Sequence, residues 1–498
     1  MNCHINTWLT DTGLAPLNSS LTHILENNPS AQAYAEEDYR LSYAQLVSIA
    51  GGCAVNLRAA GLTEGDRIAL DAPRSRELFI IIVSCLISGI SFISVPRTYG
   101  TEQKKQFAED TYCAAIYSLS EIFSDADIKI KDLGNLSLLE SASKRRIHNQ
   151  MSGREVYCVR TSGTTGNPKV VPIHMSQISG FFEDVLSGFD ISSGRRWLWV
   201  HDLSFDLSIW EVVGCLVYGG CLVVLKEEEK RDPKRIWNTL EQYRINQIIL
   251  TPSEFRFIFK ESKVPYLSQL SLEEILFCGE KLSVETIREF YQELKSNNVN
   301  LVNTYGPSEA TIFCSSHVVK DKDIHDGSIP IGKPFPNMDF SLVNMENEIN
   351  GELILTGKQV FDGYDRQPLS THEYLTGDIC RKGENGEYYY VGRKGGFHKV
   401  NGYRIDLLEI EEFLQSIPGV GEATSWVEEN RENGSILIAA INVMDGYQIS
   451  TRELRKHCSH LSPWLRPARY LTVLQSDWPM NIRGKTDKEE LKRRFHEK

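Results

Sequence analysis

Short apolar runs recur along the first half of the chain, separated by stretches with helical spacing. This alternation constrains the fold more than any other feature. RIALD (67–71), ISFISV (90–95) and VYCVR (156–160) read as buried strands, because short apolar runs bounded by turn signals suit strands covered on both faces. Residues 56–60 and 182–186 fall in helical patterns. CLVVL (221–225), QIIL (247–250), EILF (274–277) and LVN (301–303) follow, each after a helical stretch. Strand and helix in turn predict parallel α/β sheets with helices on their faces. At 498 residues the chain is too long for one typical core, so two or more domains are expected.

Residues 78–96, LFIIIVSCLISGISFISVP, are uncharged and nearly long enough to span a bilayer. They change character at Ser88-Gly89, from a helix-like run to an alternating one. A buried helix, a turn and a buried strand is therefore expected, and no membrane association. From Gly351 the style shifts again. GELILTG, EYYYVGR and GFHKVNGYRID are short and Gly-punctuated, which predicts a small antiparallel sheet or barrel. Asp406 with Glu409 then makes a capping box for a helix that Pro418-Gly419 ends. Two adjacent glycines beside charges at 393–396 suit a hinge. The expected division is a large core over 1–394 and a small mobile α+β domain over 395–498.

Composition excludes some functions. The net charge of −12 argues against nucleic acid as a partner, since phosphate backbones attract basic patches. Eleven cysteines lack CxxC pairs or ligand spacing, so they read as reduced core thiols in the cytoplasm. The first sixteen residues show no basic and apolar pattern of a signal peptide.

The stretch TSGTTGNPK (161–169) follows the VYCVR strand. Glycines let backbone approach a ligand closely, hydroxyls and amides donate to phosphate oxygens, and Lys169 adds charge. It is not a P-loop, because the spacing from Gly163 to Lys169 misses GxxxxGK[ST]. Further short motifs follow in order: LSYAQL (41–46), FDLSIWE (205–211), NTYGPSEAT (303–311), GELILTG (351–357), YLTGD (374–378), GRKGGFHKVNGYRIDLLEIE (392–411) and NIRGKTDKEEL (481–491). Together they resemble the ANL adenylate-forming enzymes, and within them the adenylation domains of nonribosomal peptide synthesis. The match runs almost end to end.

The resemblance implies an ATP-dependent, AMP-forming ligase acting with Mg²⁺. A carboxylate attacks the α-phosphate of ATP, giving an acyl-AMP and pyrophosphate. The small domain then rotates and a thiol takes the acyl group. Thr161, Ser162, Gly163, Thr164, Thr165, Gly166 and Lys169 would hold the β- and γ-phosphates. Glu309 would be the Mg²⁺ ligand, with Thr165 a second contact. Tyr305 would stack on adenine, with Asn303 in the same motif, and Gly279-Glu280 would line the adenine site. Asp378 would accept from the ribose hydroxyls and Arg393 would reach ribose or phosphate. Lys485 would bridge the substrate carboxylate and the α-phosphate, a task for a mobile point charge. Domain closure would gate its arrival.

FDLSIWE has two readings. Ser208 and Glu211 are spaced as a capping box before an apolar run. Asp206 stands where the family holds a substrate ammonium, and a carboxylate in an apolar pocket needs a cation. An amino acid is therefore expected over a fatty or aryl acid. Motif matching gives the pocket as Leu207, Trp210, Leu250, Leu276, Cys278, Thr304 and Ile312, with Phe313 beside it. They carry no charge, which favours a neutral, small to mid-sized, mainly aliphatic amino acid.

Gly395 stands where the family's hinge Asp or Lys sits, and Val170 and Asn401 also depart from its pattern. Asn401, Gly402, Tyr403 and Arg404 match the loop that the family brings to the thiol. No GGxS carrier motif follows Lys485. The expected acceptor is thus the phosphopantetheine arm of a separate carrier protein, in natural-product biosynthesis. An acyl- or aryl-CoA ligase shares the ATP residues and differs at the acid pocket; an adenylate-binding protein without catalysis is the remaining alternative.

Overall fold

The computed structural model describes residues 15–36, 39–97, 99–119, 135–138, 153–161, 169–189, 191–230, 232–260, 267–343, 350–365, 367–369, 371–393, 398–400, 403–405, 407–430, 434–479 and 486–497. The chain divides into two compact units, one of Met1–Arg160 with Val170–Val391 and one of Thr161–Lys169 with Gly392–Lys498.

Two large sheets build the first unit. The nine-stranded sheet runs in the order Lys333–Pro334, Ser315–Val318, Asn300–Tyr305, Glu274–Phe277, Gln247–Leu250, Arg196–Trp199, Cys221–Val224, Gln32–Glu36 and Tyr39–Ser42. Its six central strands, from Asn300–Tyr305 to Gln32–Glu36, are mutually parallel. The six-stranded sheet places Arg67–Asp71 between Ala115–Ser118 and Ser91–Ser94, again parallel. Parallel strands covered on both faces need apolar residues throughout. QIIL and EILF are accordingly buried at every position.

Residues 78–96 form helix Arg76–Ser88 and strand Ser91–Ser94. Gly89 makes the turn between them at φ +71°, and its amide donates to the Cys85 carbonyl. No helix among the described residues is long and apolar enough to cross a membrane. The ten described cysteines are buried and form no disulfide.

Beyond the large sheets, Met338–Val343, Asn350–Gly357, Glu373–Lys382 and Tyr388–Arg393 make a four-stranded sheet, antiparallel across its first three strands. The second unit holds the hairpin His398–Val400 and Tyr403–Ile405, and a sheet of Val420–Asn430, Gly434–Val443 and Arg469–Leu474. Helix Leu407–Gln415 stops before Pro418-Gly419, whereas its expected cap Asp406 lies outside the described residues.

One buried ion cluster ties the six-stranded sheet to a distant loop. The Arg67 guanidinium donates to Glu155 at 2.8 and 2.6 Å, to Asp365 at 2.7 and 2.9 Å, and to the Thr111 carbonyl at 2.6 Å. Asp365 follows Tyr364, whose hydroxyl bonds Glu309. The cluster thus fixes a neighbour of the expected metal ligand. Removing one member of a buried ion cluster strands the others without compensation. Arg67→Ala should lower the unfolding free energy by about 3–5 kcal/mol in urea titration.

Candidate functional site

The strands Arg196–Trp199, Gln247–Leu250, Glu274–Phe277 and Asn300–Tyr305 run parallel, so the residues after their C-terminal ends gather along one edge. After the first of these strands comes FDLSIWE. Asp206 is 5% exposed and precedes the short helix Leu207–Ile209. That helix runs into a π-helical turn, Trp210–Gly214. Single π turns inside helices recur at functional sites.

The expected capping box does not form. Ser208 lies inside the helix, and Glu211 reaches back instead to the end of the preceding strand. Its carboxylate accepts from the Val200 amide at 3.1 Å and the His201 amide at 3.0 Å. It also bonds His201 Nδ1 at 2.8 Å. Two strand-end amides and an imidazole satisfy a buried carboxylate better than one helix-start amide would.

Asp206 has a polar neighbourhood inside an apolar one. Burial, and then the Asp206 charge, push the Tyr157 phenol well above its usual range. Tyr157 OH, Ser208 Oγ and Trp210 Nε1 are buried and make no hydrogen bond among the described residues. Buried polar atoms are nearly always paired, so such a group fits a polar ligand head. Leu207, Trp210, Leu276, Cys278, Thr304, Ile312 and Phe313 are each at most 3% exposed. All but Thr304 share one apolar core, and the Thr304 hydroxyl donates to the Phe277 carbonyl at 2.8 Å. Trp210 is packed by Phe181, Phe189, Trp197, Tyr218 and Phe313, which makes it a structural wall.

Leu250 stands apart from this group. It belongs to the core on the opposite face of the sheet, with Val200 and Phe255. Its neighbour Ile249 is the one that shares a face with Leu276 and Cys278. In a strand buried on both faces the sequence carries no alternation to tell the two apart.

The residues expected at the nucleotide form a second group. Tyr305 OH donates to Asp378 at 2.6 Å, so the residues expected at adenine and ribose are joined directly. Burial, then the Asp378 charge, raises the Tyr305 phenol well above its usual range. Asn303 donates to the Pro330 carbonyl at 2.7 Å. Gly279 sits at φ +87°, and Glu280 accepts from the Ser253 amide and hydroxyl at 3.1 and 2.6 Å.

Glu309 lies on a short 3₁₀ turn, 1% exposed, and accepts from Tyr364 OH at 2.8 Å. A Cβ on Gly306 would lie 2.4 Å from Phe313 Cα, so only glycine lets the chain double back there. Thr311 and Ile312 follow at φ +58° and +69°, a costly conformation for β-branched residues. Mg²⁺ in nucleotide sites takes one or two carboxylates plus substrate phosphates. A single buried carboxylate with one oxygen already oriented fits that requirement. No group of three or more His, Cys, Asp or Glu among the described residues could hold a metal alone.

At the ends of the expected phosphate loop, Thr161 Oγ1 lies 3.5 Å from the Lys169 carbonyl. Ser162, Gly163, Thr164, Thr165 and Gly166 lie outside the described residues, as do Lys485, Asn401 and Gly402 and the side chains of Arg393 and Arg404. Tyr403 is described, and it stacks on Trp464 at 3.9 Å with the rings 2° from parallel.

The model of the family described as "AMP-binding enzyme" matches residues 21–365. The chain belongs to that family. This AMP-binding enzyme is a ligase that consumes ATP with Mg²⁺ and forms AMP. It is 28% identical over 490 residues to syringomycin synthase SyrB1 of Pseudomonas syringae pv. syringae, covering 93% of this chain and 79% of that one. It is 27% identical over 496 residues to the D-alanine--D-alanyl carrier protein ligase of Bacillus licheniformis, covering 94% and 97%. Its fold matches that of the Vibrio cholerae adenylation domain AlmE in complex with glycyl-adenosine-5'-phosphate, with a TM-score of 0.79 at 22% identity, covering 100% and 98%. Some relatives are far longer, the chain spanning as little as 6% of one.

Two site residues escaped the sequence reading. Tyr364 carries no motif signal at all. His201 lies before FDLSIWE, and only the Thr251–Glu254 capping box hints at its partner. His201 Nε2 lies 3.1 Å from Glu254, which also takes Lys230 at 3.2 Å. Burial alone would lower the His201 pKa, but the Glu211 and Glu254 charges outweigh it and raise it to about 9. The charged imidazole therefore stabilises the fold fully below an unfolded pKa of about 6.5, and the gain is lost as pH rises through about 9. The stability difference between wild type and His201→Gln should shrink by roughly 3 kcal/mol between pH 6.5 and 10, read by denaturant titration.

Proposed function

We propose that this enzyme activates a neutral, small to mid-sized, mainly aliphatic amino acid and passes it to the phosphopantetheine thiol of a separate carrier protein. The setting would be natural-product biosynthesis in the cytoplasm. One observation carries the substrate class: Asp206 is a buried carboxylate, and the other residues expected to line the acid pocket are buried and carry no charge. A substrate ammonium is a cation that a buried carboxylate can bind. A charged substrate side chain would find no partner against Leu207, Leu276 and Ile312.

In the first step a substrate carboxylate oxygen attacks the α-phosphorus. The bond to the β-phosphate breaks and pyrophosphate leaves. Adenylyl transfer needs positioning and charge neutralisation more than covalent help. The backbone and hydroxyls of residues 161–166, with Lys169, receive the β- and γ-phosphates. Mg²⁺, when bound at Glu309 with Thr165 as second contact, neutralises phosphate charge. Tyr305, Asn303 and Gly279-Glu280 hold adenine, and Asp378 accepts from the ribose with Arg393 alongside. Lys485, from the small domain over 395–498, meets the charge that develops between carboxylate and phosphate.

In the second step the thiol sulfur attacks the acyl carbonyl and AMP leaves. Asn401, Gly402, Tyr403 and Arg404 form the thiol side. The likeness to a D-alanyl carrier protein ligase along 97% of its length supports an acceptor in trans.

Amino-acid-dependent ATP–pyrophosphate exchange tests the substrate class. Neutral aliphatic amino acids such as valine, leucine or proline should drive exchange, and lysine or glutamate should not. Exchange driven only by acids without an amine would move the enzyme to CoA ligation instead. Lys485→Ala should slow exchange by about 10²–10³-fold, as loss of one transition-state donor does. Transfer from supplied aminoacyl-AMP should survive that change; equal loss of both steps would remove Lys485 from the first.

A further inference from the structure

We propose that His201 is a positioning residue for the substrate amine, clamping the turn that presents Asp206 through Glu211 on one side and Glu254 on the other. This rests on Asp206 being the partner of the amine.

Glu211 closes the segment from His201 to itself into a ring, because its carboxylate returns to the Val200 and His201 amides and to the His201 imidazole. Asp206 stands at the middle of that ring. Inside it the backbone is held step by step. The Ser204 amide donates to Asp202 Oδ1 and the Phe205 amide to the Asp202 carbonyl, both at 2.9 Å. The Ser208 amide donates to the Phe205 carbonyl at 3.0 Å and the Ile209 amide to the Asp206 carbonyl at 2.9 Å. The His201 ring also meets the Phe205 ring at 5.4 Å, one residue before Asp206.

A carboxylate as buried as Glu211, 1% exposed, needs a cation close by, and His201 supplies it. The other ring nitrogen is fixed by Glu254, itself held by the Thr251 amide and hydroxyl and by Lys230. Lys230 also donates to the Val200 carbonyl at 3.3 Å. The chain of contacts then continues, since Ser253, next to Glu254, donates to Glu280. Those bonds do not pass through the imidazole, so the glycine turn expected at adenine keeps its hold when His201 is replaced. Without its charge, Glu211 keeps two amides but loses its counterion, and the ring can open at its base. That displaces Asp206 while leaving Tyr305, Asp378 and Glu309 in place.

The test compares wild type, His201→Gln, Glu254→Gln and Asp206→Asn in ATP–pyrophosphate exchange, with the twenty protein amino acids as probes. KM is measured separately for amino acid and for ATP. His201→Gln should raise the amino acid KM by tenfold or more and leave the ATP KM within twofold. Glu254→Gln, which keeps His201, should shift the same parameter in the same direction by less. An unchanged amino acid KM in both variants overturns the clamp, and so do equal rises in both KM values.

Amide hydrogen exchange across residues 200–211 gives a readout that needs no substrate. It should quicken in both variants, while the strand Gln247–Leu250 stays protected; unchanged exchange also overturns the clamp. If Asp206→Asn leaves the amino acid KM untouched, the assignment of Asp206 falls. If Asp206→Asn is severe and His201→Gln silent, only the clamp does.

Discussion

A parallel sheet delivers the C-terminal ends of its strands to one edge, and the candidate site depends on that constraint. His201 follows Arg196–Trp199, Thr251 follows Gln247–Leu250, Gly279-Glu280 follow Glu274–Phe277, and Tyr305 ends its own strand. Residues 26 or 27 positions apart in sequence, such as Glu274 and Asn300, are neighbours because their strands are in parallel register. The strands in turn demand apolar side chains on both faces, which is why so little polarity appears between the motifs. Polar groups then concentrate where the strands stop, and each must find a partner or a ligand.

The residues expected at the acid and those expected at the nucleotide solve the same problem differently. At the expected nucleotide site the polar groups bond one another, Tyr305 with Asp378 and Tyr364 with Glu309. A carboxylate held in this way is oriented before any ligand arrives, which is what electrostatic catalysis requires. On the acid side Glu211 is fully used, whereas Tyr157, Ser208 and Trp210 keep buried polar atoms in reserve. The strained pair Thr311–Ile312, directly after Glu309, is a further cost stored beside the site and maintained by packing on all sides.

Much of this was legible in the sequence, for physical reasons that also mark where legibility ends. RIALD, QIIL and EILF were readable as strands because they are buried on both faces and bounded by turns. That same continuity hid which face each residue takes, so Leu250 stood in for Ile249. The S-x-x-E spacing of Ser208 and Glu211 suggested a capping box, since spacing alone does not reveal that stronger donors wait at the end of another element. Asp206 was readable only through the ordered motifs around it. Tyr364 and His201 were not: Tyr364 bonds Glu309, 55 residues away, and the second partner of His201, Glu254, is 53 residues away.

The central claim is that a buried carboxylate at position 206 selects for a substrate amine. The most direct measurement is kcat/KM for one activated amino acid and for its des-amino analogue, in wild type and in Asp206→Ala. The wild-type enzyme should prefer the amino acid by at least about 10²-fold, as sites built around a buried polar group do. Asp206→Ala should collapse or reverse that ratio, through loss of the amino acid and gain of the analogue. A preference that survives Asp206→Ala unchanged would contradict the account.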